Sequence, residues 1–565
     1  MRGHFPILGL AAAALLTAAI WGWLGRPVAV ADAPPGKVHC VSYTPFRDRE
    51  TPFDPGYLAD PRKIDEDLEL VATFSDCIRL YAADQGLAAA VPLAEKHGLK
   101  VLLGIWIGGD KQNNRMQLSL ALTLAKGFRD TIKAVIVGNE VLLRGEQTPA
   151  TMAALARQVK QETGLPVTYA DVTDFWLTAP RELADAVDFI TIHILPYWED
   201  RPESASHGLD VVRSAVDRVQ ARFPDKPIFI GETGFPSKGR SREAAVPSLV
   251  AQAEYVRGFM AFAARSGLDY NLIEAFDQPW KRLLEGTAGG FWGLDDTART
   301  SKFSGQGPVS NHPVWRREAA ASFGIAVILL LAWSAAGAFQ TRSAGGAFKT
   351  KRQDFLLGTM AGIGGVLLVL QAEHSWAAWR DPIELAVESL LFVSSLASLY
   401  LLPPEIAKGR EARAPAAIAQ CLERLRAPGS TAWDKKLTLG SLRLAMSFAA
   451  VVASLDLAFD PRYRDFPNAA FAFSAAGFAW ISFLSRDAFR IVPNHREEAI
   501  FAIVLALAAA IILVNETPLN LEADLWCAIC LATVLPWSGA VRGFYRDLTS
   551  PSNVSSNPMA PNSVL

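Results

Sequence analysis

From residue 319 onward the chain repeats one feature seven times: an apolar stretch long enough to cross a bilayer, followed by a short polar break. The stretches run 319–340, 354–371, 383–402, 440–460, 467–486, 498–515 and 520–541. At a rise of about 1.5 Å per residue, a helix of about 20 apolar residues spans the roughly 30 Å hydrocarbon core. One such stretch could be a buried core helix. Seven in succession predict an all-α, polytopic transmembrane domain, because inside lipid only helices and closed barrels satisfy every backbone polar group. A further apolar run, Phe5 to Leu24, has Arg2 before it and Trp21 and Trp23 near its outer end. It reads as a membrane anchor or as a signal peptide cleaved near Ala29-Val30-Ala31, and both readings send the segment after it out of the cytoplasm.

Loop charge agrees with that orientation, since Lys and Arg collect on the cytoplasmic side of short loops. One set of loops carries Arg342, Lys349, Lys351 and Arg352, then Lys408, Arg410, Arg413, Arg424, Arg426, Lys435 and Lys436; the other holds Arg380 and, elsewhere, Arg462 with Arg464. The expected plan is an N-terminal anchor over 1–36, an extracytoplasmic domain over 37–310, seven membrane helices over 319–545 and a disordered cytoplasmic tail over 546–565. The tail is rich in Ser, Asn and Pro from Ser550 to Leu565. The expected location is a bacterial inner membrane, with the large domain in the periplasm and lipid as one partner.

Composition excludes several classes. Half the residues are hydrophobic and 20% are charged, which rules out a wholly disordered chain. The net charge of -2 leaves no basic excess to neutralise a phosphate backbone, so nucleic acid is not an expected partner. Five cysteines cannot build a disulfide framework, and eight histidines without close pairing give no zinc signature. No metal or other cofactor is expected. Cys40 and Cys77 fall on neighbouring predicted strands, where a disulfide is open to them, although parallel neighbours seldom suit its geometry.

Within 37–310, short β-prone runs alternate with stretches of helical period. The runs are His39–Thr44, Cys77–Ala82, Lys100–Trp106, Ala134–Asn139, Pro166–Asp171, Phe189–Leu195, Pro227–Gly231 and Tyr270–Phe276. Eight βα units in about 250 residues predict a TIM (β/α)8 barrel with its active site at the C-terminal strand ends. Two of those ends run into an acid: Val135-Ile136-Val137-Gly138-Asn139-Glu140, and Phe229-Ile230-Gly231-Glu232. Paired carboxylates at a barrel mouth suit glycosidic cleavage, where one protonates the leaving oxygen and the other attacks the anomeric carbon or activates water.

The motifs also fall in an order that resembles glycoside hydrolase family 17, a β-1,3-glucan-active family. Val41-Ser42-Tyr43 is similar to its first-strand motif, Arg79-Leu80-Tyr81 with Asp84 to its R-L-Y-x-x-D, and Gly138-Asn139-Glu140 to its acid/base motif. Gly231-Glu232-Thr233-Gly234 resembles its nucleophile motif, Pro196-Tyr197-Trp198 the segment after strand six, and Phe291-Trp292-Gly293-Leu294 the closing F-G-L-F. The resemblance covers residues 38 to about 300. It implies Glu140 as general acid/base, Glu232 as nucleophile and Asn139 as the group that binds the sugar 2-hydroxyl. It implies Tyr43, Arg79, Tyr81, Tyr197, Glu274, Trp280, Lys281 and Trp292 as substrate-binding residues. Glu140 must hold a proton while Glu232 is ionised, so their surroundings have to separate the two pKa values.

The chain departs from the family after strand eight, where Glu274-Ala275-Phe276-Asp277-Gln278-Pro279-Trp280-Lys281 replaces an F-N-E segment and either Glu274 or Asp277 could fill the acidic position. Trp176, Tyr197, Trp198, Trp280 and Trp292 are expected to wall the mouth as sugar-stacking platforms. His193 reads as a satisfied strand histidine, Asp65-Glu66-Asp67 as the exposed face of the first barrel helix, and Cys527 with Cys530 as packing residues. Gly358 and Gly362 have the spacing of close helix approach. Residues 104–111 lack the Gly-Lys-Ser/Thr of a phosphate loop.

The expected function is retaining transfer on β-1,3-glucan or laminari-oligosaccharides, since the membrane-bound bacterial proteins that the chain resembles are associated with branching, elongating or cyclising β-1,3/1,6-glucan. A glucan synthase or exporter is an expected partner. The alternatives are an anchored endo-β-1,3-glucanase, a synthase component, which the short cytoplasmic loops disfavour, and a glucan sensor or transporter, which two intact glutamates disfavour.

Overall fold

The computed structural model describes residues 7–336, 346–426, 434–485, 495–516 and 518–549. Eight parallel strands close into a barrel: β1 Val41–Ser42, β2 Cys77–Leu80, β3 Lys100–Ile105, β4 Ile132–Asn139, β5 Val167–Val172, β6 Ile190–His193, β7 Ile228–Thr233 and β8 Asp269–Leu272. Each pairs with the next and β8 pairs with β1. All eight expected runs are strands, and the last ends early, at Leu272. Side-chain alternation splits the core in two. Leu102, Ala134, Ile136, Ala170 and Phe229 pack together inside the barrel, while Val101, Leu103, Val135 and Val137 join the shell between strands and helices.

Cys40 and Cys77 form a disulfide with their Cα atoms 4.3 Å apart. Val41 pairs with Ile78, so the two residues just before them meet at the strand starts, inside the barrel. Asp67 corrects another expectation. In the helix Pro61–Phe74 it shares the buried face of Ile64, Leu68 and Val71, and it accepts from Arg47 at 2.9 Å, Arg299 at 2.9 Å and Tyr43 at 3.2 Å. Asp65 instead pairs with Lys96 and His97.

The second half is a bundle of the helices Trp315–Ala335, Gly346–Ala378, Pro382–Ile406, Lys435–Phe459, Asn468–Leu484, Arg496–Asn515 and Leu521–Val534, joined by the N-terminal helix Ile7–Leu24. Among the described residues, seven helices are long and apolar enough to cross a membrane; Asn468–Leu484, at 17 residues, is shorter. The last helical stretch continues to Thr549, past the expected domain end at 545. Arg342 and the tail from Ser550 lie outside the described residues.

Gly358 and Gly362 do mark a close approach, and their partner is the N-terminal helix. A Cβ on Gly358 would sit 2.1 Å from Gly9 O, and one on Gly362 would sit 3.2 Å from Ala13 Cα. Trp21 Nε1 donates to Ser322 Oγ at 2.8 Å, so the N-terminal helix is also fixed to Trp315–Ala335.

Candidate active site

Period-two alternation builds the site from β2 upward. Cys77, Arg79 and Tyr81 point inward in turn, from the barrel floor to its mouth. Arg79 is 1% exposed and its guanidinium crosses the barrel. It donates to Gly231 O at 2.7 Å, Glu232 Oε1 at 3.1 Å and Asn139 Oδ1 at 2.5 Å. Tyr81 donates to the same Glu232 oxygen at 2.9 Å, and Ser42 Oγ meets the Tyr81 hydroxyl at 3.0 Å.

Simple alternation would point Glu232 out of the barrel. A register shift brings it in: Ile192 pairs with Ile230, but His193 pairs with Glu232, so Gly231 is the extra residue of a bulge. A Cβ at Gly231 would lie 2.4 Å from Thr191 Cγ2 and 2.9 Å from the His193 ring. Thr233, next along, faces outward and meets the Tyr255 hydroxyl at 2.5 Å.

Glu140 is placed by a turn at the end of β4. Gly138 has φ +85°, where a Cβ would strike Met152 and Val141 at 2.7 Å. Glu140 itself has φ +53°, a left-handed conformation that costs a non-glycine residue about 1 kcal/mol or more. His193 joins the two acids. Its Nδ1 is 2.7 Å from Glu140 Oε1 and its Nε2 is 3.7 Å from Glu232 Oε1, with the ring fully buried. One carboxylate oxygen of Glu140 lies within 4.8 Å of one of Glu232.

The electrostatics differ between the two acids. Burial pushes the Glu140 carboxyl up, but the His193 hydrogen bond and charge, with Arg79 and Arg144, outweigh it and hold it below the usual range. The free site therefore favours the Glu140 carboxylate, against the expectation that its surroundings keep it protonated. Glu232 accepts from Arg79 and from Tyr81 on one and the same oxygen.

Of the two candidate acids after β8, Glu274 is the one that pairs with Lys281. It is fully buried and accepts from Lys281 Nζ at 2.7 Å; burial, opposed by Lys281, pushes it up to about 7. Asp277 turns away to Lys302 at 2.5 Å and Gly293 N at 2.9 Å. Glu285, on the helix Arg282–Gly289, is a further acid within electrostatic reach of Glu274, Glu232 and Glu140; burial, opposed by Lys281, pushes it up to about 7.

Four expected site residues do not line an open mouth. Tyr43 faces the first helix, bonded to Asp67, because alternation gives the inward place to Ser42. Trp176 is 1% exposed and donates to Thr191 O, under the helices. Tyr197 is fully buried with its hydroxyl on Arg240 O, and Trp292 is 2% exposed against Tyr197 and Gly234. Trp198 and Trp280 are half-buried on the rim, Trp280 packed edge-on against Phe46 and Phe53. Sequence reasoning read His193 as a satisfied strand histidine, which its buried, bonded ring is, and assigned no role to Ser42, Asn271 or Glu285. Asn271 Nδ2 donates to Ser42 Oγ and Gly231 O, both at 2.8 Å.

Among the described residues, Glu140, His193 and Glu232, and separately His312, Glu318 and Glu373, come close enough to ligate an ion. In the first group Arg79 Nη1 donates to Glu232 Oε1 at 3.1 Å and lies 3.4 Å from His193 Nε2.

A family model described as the BtgE/BtgC glycoside hydrolase domain matches residues 40–293. A glucan 1,3-beta-glucosidase of Candida albicans is 30% identical over 273 residues, 44% of this chain and 88% of the relative. One of Saccharomyces cerevisiae is 24% identical over 259 residues, 42% and 83%. The solved structure of a glycoside hydrolase family 17 beta-1,3-glucanosyltransferase from Rhizomucor miehei is 22% identical and covers 48% of this chain and 98% of its own, with a TM-score of 0.42.

Proposed function

The chain belongs, through its barrel, to the family 17-like, β-1,3-glucan-active glycoside hydrolases, and from that premise we propose that it is a retaining glucan transglycosylase. The observation that carries this reading is the spacing of the two acids. Retaining enzymes place their carboxyl groups about 5 Å apart, whereas inverting ones leave about 6.5–9.5 Å for a water. Oxygens of Glu140 and Glu232 within 4.8 Å fit the first class.

In this mechanism Glu232 attacks the anomeric carbon as its bond to the leaving glucan oxygen breaks. Glu140, held by His193 at 2.7 Å, delivers the proton of its carboxyl to that oxygen and is left as the carboxylate. Asn139, whose Oδ1 is held by Arg79, has its amide N–H2 to donate to the sugar 2-hydroxyl. In the second half Glu140 takes a proton from the incoming nucleophile, and the bond to Glu232 breaks with retained configuration. A glucan hydroxyl as nucleophile makes a longer, branched or cyclic product; water makes a shorter one.

Transfer is favoured by two features. The mouth is covered on one side by the helical bundle, which restricts water, and a tethered barrel meets a nascent glucan at high effective concentration. The barrel is read as lying outside the cytoplasm, in the periplasm of a bacterial inner membrane, supported by loop charge and by a disulfide that persists in oxidising compartments. The test is to incubate the full-length protein with laminarihexaose at millimolar concentration and weigh the products. Chains longer than the donor, or rings lighter by one water, are expected. Only shorter linear products at every concentration would make it an anchored glucanase.

A further inference from the structure

The barrel mouth does not open freely to solvent. The loops after β6, β7 and β8, the same loops that carry or flank Glu232 and Glu274, rest on one end of the helical bundle. Two attachments are polar and buried. Arg240 pairs with Glu516, their side chains 3% and 7% exposed, and also donates to Arg464 O at 2.5 Å. Ser241 N donates to Glu522 Oε2 at 2.9 Å, and Ser241 O accepts from Asn520 at 2.9 Å. A buried ion pair broken on one side costs several kcal/mol, so this seating is specific.

Between these attachments, one bundle loop enters the rim. Residues 460–467 link the helices Lys435–Phe459 and Asn468–Leu484. The Tyr463 ring lies 5.9 Å from the Trp198 ring. Arg462 donates to Trp198 O at 3.2 Å and holds its guanidinium 5.4 Å from the Trp198 ring centre. The Tyr463 backbone fills a notch that only glycine allows: at Gly286, with φ +67°, a Cβ would sit 2.5 Å from Tyr463 O. Thr287 secures the same loop by donating to Asp465 at 2.5 Å. Trp198 packs edge-on against Tyr197, which meets Trp292 beside Gly234, two residues past Glu232. The loop therefore meets the rim next to the strand that carries Glu232.

Trp198 and Tyr463 are half-buried and Arg462 is exposed, so their outer faces are open to a ligand. A half-exposed indole and phenol beside a guanidinium match a sugar ring, which offers a weakly polar face to aromatics and hydroxyls to a fan of N–H donors. We propose that the bundle supplies part of the glucan site itself: Arg462 and Tyr463, with Trp198, bind a glucosyl unit of a β-glucan chain beyond the two units that flank the scissile bond. The proposal rests on the glucan-active reading above. It gives the membrane half a role in catalysis that the barrel alone lacks, because residues of the bundle then set how long a chain the site prefers.

The test uses full-length protein in detergent and laminari-oligosaccharides of two to six units. Tyr463→Ala is expected to raise KM for laminarihexaose about tenfold, with an effect that shrinks stepwise as the donor shortens. Glu162→Ala, on the far surface of the barrel where Glu162 meets Lys126 and Gln158, should keep the wild-type KM series. A Tyr463→Ala protein with the wild-type series and product lengths would overturn the proposal. Should that variant not fold, hydroxyl-radical footprinting of Glu232→Gln protein gives the answer: laminarihexaose is expected to protect Tyr463 and Trp198, and unchanged labelling of both would refute the subsite. Wild-type protein that leaves every oligosaccharide intact would instead refute the glucan-active reading.

Discussion

Replacing His193 by Asn should slow cleavage in a way that depends on the leaving group. The imidazole is fully buried, 2.7 Å from Glu140 Oε1, so its expected role is to position Glu140. A hydrogen bond to a charged partner contributes about 1.5–3 kcal/mol. At about 1.4 kcal/mol per factor of ten, that predicts a loss of about 10- to 150-fold in kcat/KM for laminarihexaose, whose sugar leaving group needs a proton. A dinitrophenyl β-laminaribioside leaves without one, and kcat/KM reports the step up to glycosyl-enzyme. Its value should change by about threefold or less. Steady-state kinetics of the two substrates at pH 6 measure the contrast. Equal losses on both would mean that His193 only supports the barrel, and no loss on either would remove it from the mechanism.

Three further outcomes rest on burial and charge. Trp292→Ala should destabilise the barrel by about 3–5 kcal/mol, the usual cost of emptying a buried Trp site, and a thermal melt of the variant will show it; an unchanged melting temperature would put Trp292 on the surface, as a sugar platform. Glu285 is pushed up to about 7, chiefly by burial, so the folded protein binds a proton that the unfolded chain has released. Its contribution is present below about pH 4.5 and lost as pH rises through 7, and Glu285→Gln should remove on the order of 2 kcal/mol from that decline; melts at pH 5 and 7.5 that keep the wild-type difference would contradict this. A reporter active only outside the cytoplasm, fused after Leu565, should be silent, and activity there would reverse the topology.

The barrel was legible because eight apolar β-prone runs alternate with helical periods, and the two glutamates because each ends such a run. What periodicity could not reveal was direction at the strand ends. Glu232 enters the barrel only through the bulge at Gly231, and a two-residue alternation read straight through would have sent it outward. The same alternation did hold a signal for His193, which comes two residues after Thr191 on the inward face of β6, and for Ser42 in place of Tyr43. Asp67 was also legible: it stands three residues after Ile64 and four before Val71, on the apolar face of its helix. The burial of Trp176, Tyr197 and Trp292 was not. An aromatic after a strand end can face the mouth or the shell, and only the packing of Thr191, Arg240 and Gly234 around these rings decides it. Nor could the sequence reveal that loop 460–467 would meet Trp198, since that contact joins segments more than 250 residues apart.

The proposed retention of configuration requires a covalent glycosyl-enzyme, which the proposal places at Glu232. A 2-deoxy-2-fluoro laminari-oligosaccharyl fluoride slows both steps but the second more, so it should accumulate on the nucleophile. Peptide mass analysis of the full-length protein after such treatment is predicted to find one glycosyl group on Glu232, and none when Glu232 is replaced by Gln. Stoichiometric labelling of another residue, or turnover of laminarihexaose to products of inverted configuration with Glu232 unlabelled, would contradict the assignment of Glu232 as nucleophile.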